Sequence, residues 1–279
     1  KNSFFLLKEF QLIQKLLVLF IHLGPKTKRW FWKTWYNLFA KKSSGHDFHF
    51  MNYGYYDKNL NLSLELNDEK ERYPAQLYHH TATQENITGK KVLEVGSGRG
   101  GGASFMKRYL KPKSIVGLDI SKDAVNLCKS LHRNTGLSFL VGDAEKIPFE
   151  NESFDVVVNV ESSHCYGNPN LFLSEIKRIL KCGGVFLWAD FRTTEEMKKM
   201  FGSFLKSGLE NIREKDITEN VISALEKLSN TRSKQIRENV PSIIQPVFLS
   251  YAGVKGTSVY NSFVKQKLIY KSATFRKPN

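Results

Sequence analysis

Residues 91–102 read KVLEVGSGRGGG, a run of strand-forming residues that ends in a glycine-rich turn. A helix is predicted to follow over residues 103–110. The order of strand, glycine turn and helix is typical of the first unit of a parallel α/β sheet. Because glycine permits backbone angles that a Cβ atom forbids, the chain can approach a ligand closely there. We therefore expect Gly96, Gly98 and Gly100 to lie beside a bound molecule.

The alternation of strands and helices continues along the chain. Apolar segments predict further strands at residues 114–118, 137–141, 154–160, 185–189 and 268–275. Two more helices are predicted at residues 122–131 and 171–180. Alternating elements with short loops indicate a doubly wound, Rossmann-like parallel sheet. Ligands of such sheets bind beyond the carboxyl ends of the strands, so the residues at those ends are the candidates for a site.

Acidic and polar side chains stand at four of these strand ends. Glu94 precedes the first glycine by two residues and is placed to hold the cationic end of a ligand. Asp119 follows the second strand and can accept hydrogen bonds from a ribose diol. Asp143 follows the third strand and can accept from an adenine amino group, and Asn159 lies at the end of the fourth.

Several acids around one pocket disfavour a pyrophosphate, which prefers a helix N-terminus without competing negative charge. They favour a cationic sulfonium nucleoside. The spacing Gly96-x-Gly98-x-x-Gly101 also satisfies the dinucleotide fingerprint, which is weak evidence by itself. A nicotinamide-dependent oxidoreductase is therefore an alternative, but it would not require Asp143.

Several stretches together carry a family resemblance: FMNYGY (50–55), LYHHTATQ (77–84), VLEVGSGRGGGAS (92–104), GDA (142–144), SFDVVVNVESSHCY (153–166), AD (189–190) and, more weakly, GVKGT (253–257). With these stretches the chain resembles the class I S-adenosylmethionine (SAM)-dependent methyltransferases. Among them it is most similar to the phthiotriol and phenolphthiotriol dimycocerosates methyltransferases. The resemblance spans about residues 48–192, and the stretches at 77–84 and 159–166 are more specific than the glycine turn.

The resemblance implies SAM as the cofactor and a sheet whose last strand is antiparallel. It also implies that residues 46–279 form the methyltransferase domain. Further cofactor contacts are then expected from side chains or backbone at Tyr53, Gln84, Ser97, Ile120 and Ala144. The implied reaction is methyl transfer to a hydroxyl of a lipid or hydrophobic small molecule.

Two side chains just past the fourth strand are candidates for the general base that an alcohol acceptor needs. His164 is the first, because a neutral imidazole is a suitable base near pH 7. Glu161 is the second, and it either orients His164 or acts alone. His79 and His80, on the helix before the glycine turn, are expected to pack or to face solvent.

Residues 193–247 have helical spacing and no nucleotide motif. They are predicted to form a helical cap over the acceptor cleft, which would select the substrate.

Charge is distributed unevenly: 42 Lys and Arg against 27 Asp and Glu give a net charge of +15. Residues 1–50 hold nine basic and two acidic residues, and residues 191–279 hold 16 and eight. An excess at the two ends indicates an appended basic surface, not a basic active site, so no nucleic-acid partner is expected. The three cysteines have no C-x-x-C spacing, and no metal site is expected.

The first 45 residues are predicted to be a membrane-associating segment. Residues 4–23 have a narrow polar stripe on an otherwise apolar helix, and residues 26–36 alternate basic and aromatic side chains. A helix lying in the membrane surface, a spanning anchor, and a helix packed on the domain or in a dimer are the three interpretations. The first predicts that residues 1–42 hold the protein inside the cell, at the cytoplasmic face of a membrane.

Other functions stay open at this point. A protein or nucleic-acid methyltransferase usually carries an Asn/Asp-Pro-Pro-aromatic tract after the fourth strand, whereas this chain has NVES at residues 159–162. Methylation of carbon or nitrogen in a small molecule is a further alternative. So is a binding protein that has kept the fold and lost catalysis.

Overall fold

A computed structural model describes residues 48–242 and 245–279, whose backbone forms one seven-stranded sheet with helices on both faces. The predictions for residues 1–45 fall outside these ranges. The strands are β1 (Lys91–Val95), β2 (Ser114–Asp119), β3 (Leu137–Val141), β4 (Phe154–Val160), β5 (Leu180–Thr193), β6 (Glu210–Asp216) and β7 (Leu268–Arg276). The helices are α1 (Arg72–Ala82), α2 (Gly101–Phe105), α3 (Lys122–Leu131), α4 (Pro169–Ile179), α5 (Thr194–Ser207), α6 (Thr218–Asn239), α7 (Gln245–Tyr251) and α8 (Ser258–Val264).

The strand order is β3-β2-β1-β4-β5-β7-β6. Strands β1 to β5 pair in parallel, and β7 runs antiparallel to both β5 and β6. The predicted doubly wound sheet with an antiparallel last strand is confirmed. The chain moves outward from β1 in one direction and then returns to β4 on the other side. This reversal opens a crevice between the ends of β1 and β4, where doubly wound sheets bind their ligands.

Two hydrophobic cores cover the two faces of the sheet. One packs α1, α2, α3 and α6 against the sheet, with Leu77, Phe105 and Leu225 among its fully buried side chains. The other packs α4 and α5 against the opposite face, with Phe172 and Phe204 at its centre. Helix positions are fixed by local caps; for example, the side chain of Thr193 and that of Glu196 form a reciprocal capping box at the start of α5. The cores hold the strand ends in a rigid frame.

The region predicted as a continuous helical cap differs from that prediction. Residues 194–207 form α5, which belongs to the helix layer of the sheet, and residues 210–216 form the edge strand β6. Every residue of β6 is exposed, so it lacks the alternation of apolar and polar side chains that marks a half-buried strand. The helical interpretation was wrong for this segment. Within the described residues, the helical part of the predicted segment beyond β6 is α6 and the start of α7, and we use the name cap below for α6, α7 and α8 together.

Residues 48–56 form an extended segment, here called the strap, that runs between the sheet and the cap. Its backbone pairs with α1 at Tyr55, whose N–H donates to the carbonyl of Tyr73 at 3.0 Å. It pairs with α6 at Tyr56, whose N–H donates to the carbonyl of Asn220 at 3.1 Å. The strap therefore joins α1, which packs on the sheet, to the cap.

None of the described helices combines the length and apolarity needed to cross a membrane.

Candidate cofactor and acceptor site

The main pocket lies at the crevice between β1 and β4. It is lined by the first part of the strap and by the residues that follow four consecutive strands, at 95–98, 118–121, 142–144 and 160–162. These include Gly96, Ser97, Gly98, Asp119, Ile120, Asp143, Ala144 and Glu161 from the predicted site. The sheet thus brings together the residues at the four strand ends that the sequence singled out.

The glycines of the turn are required for different reasons, because an added Cβ atom would meet different neighbours at each of them. Gly96 has a φ of 80°, and a Cβ atom there would lie 2.1 Å from Oγ of Ser162. A side chain at this position would therefore displace the β4 loop from the pocket. Gly100 also has a positive φ, but its added Cβ would meet the ring of Phe139 at 2.8 Å. Gly100 is thus required for packing and does not line the pocket.

Asp119 closes the turn and presents a carboxylate to the pocket. Its Oδ2 accepts a hydrogen bond from the N–H of Gly98 at 2.8 Å, and its Oδ1 accepts one from the N–H of Ser121 at 2.9 Å. Burial raises the pKa of Asp119, and these backbone N–H groups counteract that rise. Each carboxylate oxygen has a second lone pair, so a ribose diol fits the remaining acceptor capacity.

Four polar atoms behind the turn are buried without a hydrogen bond of good geometry in the described part of the chain: both carboxylate oxygens of Glu94, Oγ of Ser97 and Oδ1 of Asn159. Burial raises the pKa of Glu94 to about 8, and the nearby Tyr78 hydroxyl offsets this effect only in part. Buried polar groups are normally paired, so such a cluster indicates a ligand that brings its own donors. The amino group and hydroxyls of SAM are donors of this kind.

The pocket offers little to a pyrophosphate. Its only basic lining residues, within the described ranges, are His49 and Arg99. Arg99 Nε donates to the carbonyl of Phe48 at 2.6 Å, and its guanidinium lies over the Phe48 ring. The acid-rich lining therefore fits the sulfonium nucleoside better than a dinucleotide.

Glu161 stands at the end of β4 in a constrained conformation. Its φ of 46° is unusual for a residue with a side chain, and its N–H donates to the carbonyl of Ala189 at 2.9 Å. Its Oε1 accepts a hydrogen bond from the N–H of Tyr53 at 2.7 Å. Burial, reinforced by the negative charge of Asp190, raises the pKa of Glu161 to about 8. Strain of this type is characteristic of functional positions.

His164, the other candidate base, is engaged elsewhere. It lies in a short 3₁₀ turn after β4 and is not among the residues that line the pocket. Its Nδ1 is 2.8 Å from Oδ1 of Asp190, and its backbone N–H donates to Oδ2 of the same carboxylate. Burial disfavours the charged imidazole, but the neighbouring Cys165 and Asp190 outweigh burial and raise the pKa of His164. The His164 side chain is therefore mainly cationic and forms an ion pair with the buried Asp190.

Aromatic rings border Glu161 on the side away from the glycine turn. We call Tyr53, Phe191, Phe263 and Tyr270 the aromatic cluster. The Phe191 ring is the hub: its centroid lies 5.1 Å from that of Tyr53, 5.8 Å from that of Phe263 and 6.2 Å from that of Tyr270. The strap, β5, α8 and β7 each supply one ring. Glu161 thus lies between the polar pocket and a buried, closely packed aromatic cluster.

Other predicted residues lie outside this arrangement. Gln84 does not line the pocket; its Oε1 accepts from Oγ1 of Thr274 in β7 at 3.2 Å. Asn159 stands behind the lining, with Nδ2 within 2.9 Å of the carbonyl of Val95. The His80 ring stacks on Tyr55 at 4.4 Å, and the His79 ring packs near Phe105 at 6.5 Å.

Three residues of the site escaped sequence reasoning. Asp190 lies in a stretch that carries the resemblance, and its place at the end of a predicted strand was a usable signal. Asn52 lies in another such stretch, but nothing in its spacing indicated a role. Arg232 lies in a polar part of α6, 42 positions after Asp190 along the chain, and gave no signal.

Comparison with known proteins identifies the family of the chain. The family model described as "Methyltransferase domain" matches residues 93–188. The chain is 37% identical to the phthiotriol/phenolphthiotriol dimycocerosates methyltransferase of Mycobacterium leprae, over 88% of this chain and 92% of that protein. It is 34% identical to the fatty-acid O-methyltransferase of Mycolicibacterium smegmatis, over 87% of this chain and 88% of that protein.

Solved structures show the same fold at low sequence identity. The [4+2]-cyclase SpnF matches with a TM-score of 0.69 at 19% identity, over 88% of this chain and 94% of that one. The geranyl diphosphate C-methyltransferase of Streptomyces coelicolor matches with a TM-score of 0.63 at 15% identity, over 87% of this chain and 97% of that one. Likeness at this level concerns the fold alone.

Proposed function

The chain belongs to the family of phthiotriol/phenolphthiotriol dimycocerosates methyltransferases, and from that membership we propose that it methylates a hydroxyl oxygen of a lipid or other hydrophobic small molecule. It is a SAM-dependent methyltransferase. When bound, SAM supplies an electrophilic methyl group on a sulfonium sulfur. Asp119, which lines the pocket, is proposed to bind its ribose, and the buried carboxylate of Glu94, behind the lining residue Gly102, is proposed to bind its amino group. Ile120, Asp143 and Ala144 are proposed to surround its base.

The position of Glu161 carries the proposal. An acceptor hydroxyl must lose its proton as the oxygen gains the methyl group, and a base is effective when its pKa is near the working pH. Glu161 lines the cofactor pocket, borders the aromatic cluster and has a pKa of about 8. We assign the proton abstraction to its carboxylate. The aromatic cluster supports a hydrophobic acceptor, since aromatic rings bury large apolar areas.

His164 remains the competing base, and a pair of variants separates the two. Glu161→Gln is expected to lower kcat about 100-fold or more and to leave SAM affinity unchanged, because a general base contributes about 10²–10⁴ in rate. His164→Gln is expected to lower thermal stability, because it removes a partner of the buried Asp190. If Glu161 is the base, the remaining activity should keep its acid limb, moved to higher pH because His164 lowers the pKa of Glu161. A normal kcat in Glu161→Gln would refute the assignment.

The chemical class of the acceptor is tested with methyl-labelled SAM and a total lipid extract. Label in the organic phase that resists mild alkaline hydrolysis but is released as methyl iodide by hydriodic acid would mark a methyl ether and support the hydroxyl acceptor. Label that alkali releases would mark a methyl ester, the product expected of a fatty-acid carboxyl acceptor. That second candidate follows from the relative named as a fatty-acid O-methyltransferase. Label confined to protein or nucleic acid would contradict both.

We also propose that residues 1–42 bind a membrane surface on its cytoplasmic face, and that residues 46–279 fold without them. The support is the sequence itself, which interleaves Lys and Arg with Trp and Tyr. Full-length protein should float with vesicles that contain anionic lipid. The deletion variant should stay in the aqueous phase while binding SAM normally. Flotation of the deletion variant would assign membrane binding to another surface.

A further inference from the structure

Arg232 lies on the cap helix α6, yet its hydrogen bonds lead to the proposed base. Its Nη2 donates to the carbonyl oxygen of Asn52 at 2.7 Å. The N–H of the next residue, Tyr53, donates to Oε1 of Glu161 at 2.7 Å. The Asn52 carbonyl and the Tyr53 N–H belong to a single peptide group. One peptide therefore joins the guanidinium to the carboxylate.

We propose that Arg232 is a positioning residue that acts on Glu161 through the peptide group between Asn52 and Tyr53 and so prepares the carboxylate for proton abstraction. The inference rests on the proposed function of Glu161. A donor at the carbonyl end polarises a peptide and strengthens the hydrogen bond that its N–H makes. The positive charge of Arg232 further favours the ionised carboxyl.

The peptide between Asn52 and Tyr53 is held in place by its surroundings. Asn52 is buried, its Oδ1 accepts from the N–H of Gly54 at 2.9 Å, and its Nδ2 donates to the carbonyl of Pro74 at 3.2 Å. Because both ends of the side chain are bonded, the backbone cannot rotate freely. The geometry at Arg232 is therefore passed on to Glu161.

Arg232 also joins two parts of the cap. Its Nη1 donates to the carbonyl of Ala252, the residue that follows α7, at 2.8 Å. The guanidinium thus bridges α6, the end of α7 and the strap. If the cap moves away from the strap, the Asn52 carbonyl loses its charged donor. The contact between the cap and the strap is thereby coupled to the state of the base.

Other charged and titratable groups also face Glu161. Asp190 from β5 raises its pKa, whereas His164 from the loop after β4 lowers it. The hydroxyls of Tyr270 in β7 and Tyr78 in α1 lie close to it as well. All four groups remain when Arg232 is replaced. A change in the pH profile of such a variant therefore reports the contribution of Arg232.

The test compares Arg232→Gln with Lys234→Gln, which removes one positive charge from the same helix at a side chain that is 77% exposed. Loss of Arg232 should move the acid limb of the kcat profile about one pH unit higher and lower kcat at pH 7 about tenfold. SAM affinity should not change. Lys234→Gln should match the wild type. A uniformly lower kcat with the acid limb in its original place would overturn the proposal.

A second variant covers the case in which Arg232→Gln fails to bind SAM. Arg232→Lys keeps the charge but cannot bridge two carbonyls with the same geometry. Its acid limb should move in the same direction by a smaller amount, and an unmoved limb would overturn the proposal. Glu161→Gln separates this result from the proposed function: normal turnover in that variant refutes the base itself, whatever Arg232 does.

Discussion

The cofactor side and the acceptor side of the site are built in different ways. The cofactor side comes from loops after four consecutive strands, and its backbone N–H groups and acids lie between residues 94 and 162. The proposed acceptor side is the aromatic cluster, which takes one ring each from the strap, β5, α8 and β7. Glu161 therefore lies where polar loops that follow neighbouring strands meet aromatic rings from distant parts of the chain. Because the two sides share few residues, we expect substitutions in the strand-end loops to change the affinity for the cofactor. We expect substitutions in the aromatic cluster to change the affinity for the acceptor.

The largest expected effect is on the cofactor side. Asp119→Ala removes the carboxylate that anchors Gly98 and is proposed to hold the ribose. Hydrogen bonds to a charged group contribute about 1.5–3 kcal/mol each, so SAM affinity should fall about 100-fold or more. Calorimetric titration with SAM measures the change. An unchanged dissociation constant would remove Asp119 from the cofactor site and break the division between the two sides.

A smaller effect is expected on the acceptor side. Phe191→Ala removes the hub of the aromatic cluster and should raise the acceptor KM about tenfold, because a buried aromatic side chain contributes several kcal/mol that neighbours recover only in part. SAM affinity should stay within a factor of two of the wild-type value, and it serves as the folding control. Equal losses of acceptor and SAM binding would show that the two sides are one unit.

The smallest expected effect is a pH dependence of stability. Glu94 on the cofactor side and Glu161 at the boundary both have pKa values raised from 4.5 to about 8. Such carboxyls bind protons more tightly in the folded protein, so their contribution to stability is fully present below pH 4.5 and is lost as the pH rises through 8. Between pH 6 and pH 8.5 the thermal midpoint should fall by a few degrees.

A matched variant assigns that pH dependence to its source. Glu94→Gln keeps the shape of the side chain and removes its titration, so its thermal midpoint should fall less over the same pH range. Added SAM should reduce the fall in the wild type, since a cationic ligand favours the ionised carboxyl. If the thermal midpoint falls equally with pH in the wild type and in Glu94→Gln, then Glu94 does not contribute to the pH dependence of stability.

Sequence reasoning succeeded where the place of a residue in the pocket follows from its place at the end of a strand. Gly96, Asp119 and Asp143 each follow a strand, and parallel strands bring their carboxyl ends to one edge of the sheet. Position along the strand was therefore enough to predict position in the pocket. The same reasoning placed both Glu161 and His164 near that edge.

The features that could not be predicted depend on contacts between distant segments, and such contacts leave no periodic pattern in the sequence. The choice between Glu161 and His164 turns on Asp190, which lies on a neighbouring strand and engages the imidazole. The edge strand β6 has no apolar face, so its sequence resembles that of an exposed helix. Arg232 reaches Asn52 across 180 positions of the chain, and its sequence neighbourhood contains no trace of that contact.

The strap has a consequence for the order of events in a turnover. Residues 48–52 lie over the glycine turn, where the carbonyl of His49 accepts from the N–H of Gly101 at 3.2 Å, and Arg232 holds the strap from above. We therefore expect the cofactor to bind beneath the strap before the acceptor binds. Initial-rate kinetics should show compulsory order, with SAM entering first and the demethylated nucleoside leaving last. Product inhibition by that nucleoside should then be competitive against SAM at every acceptor concentration.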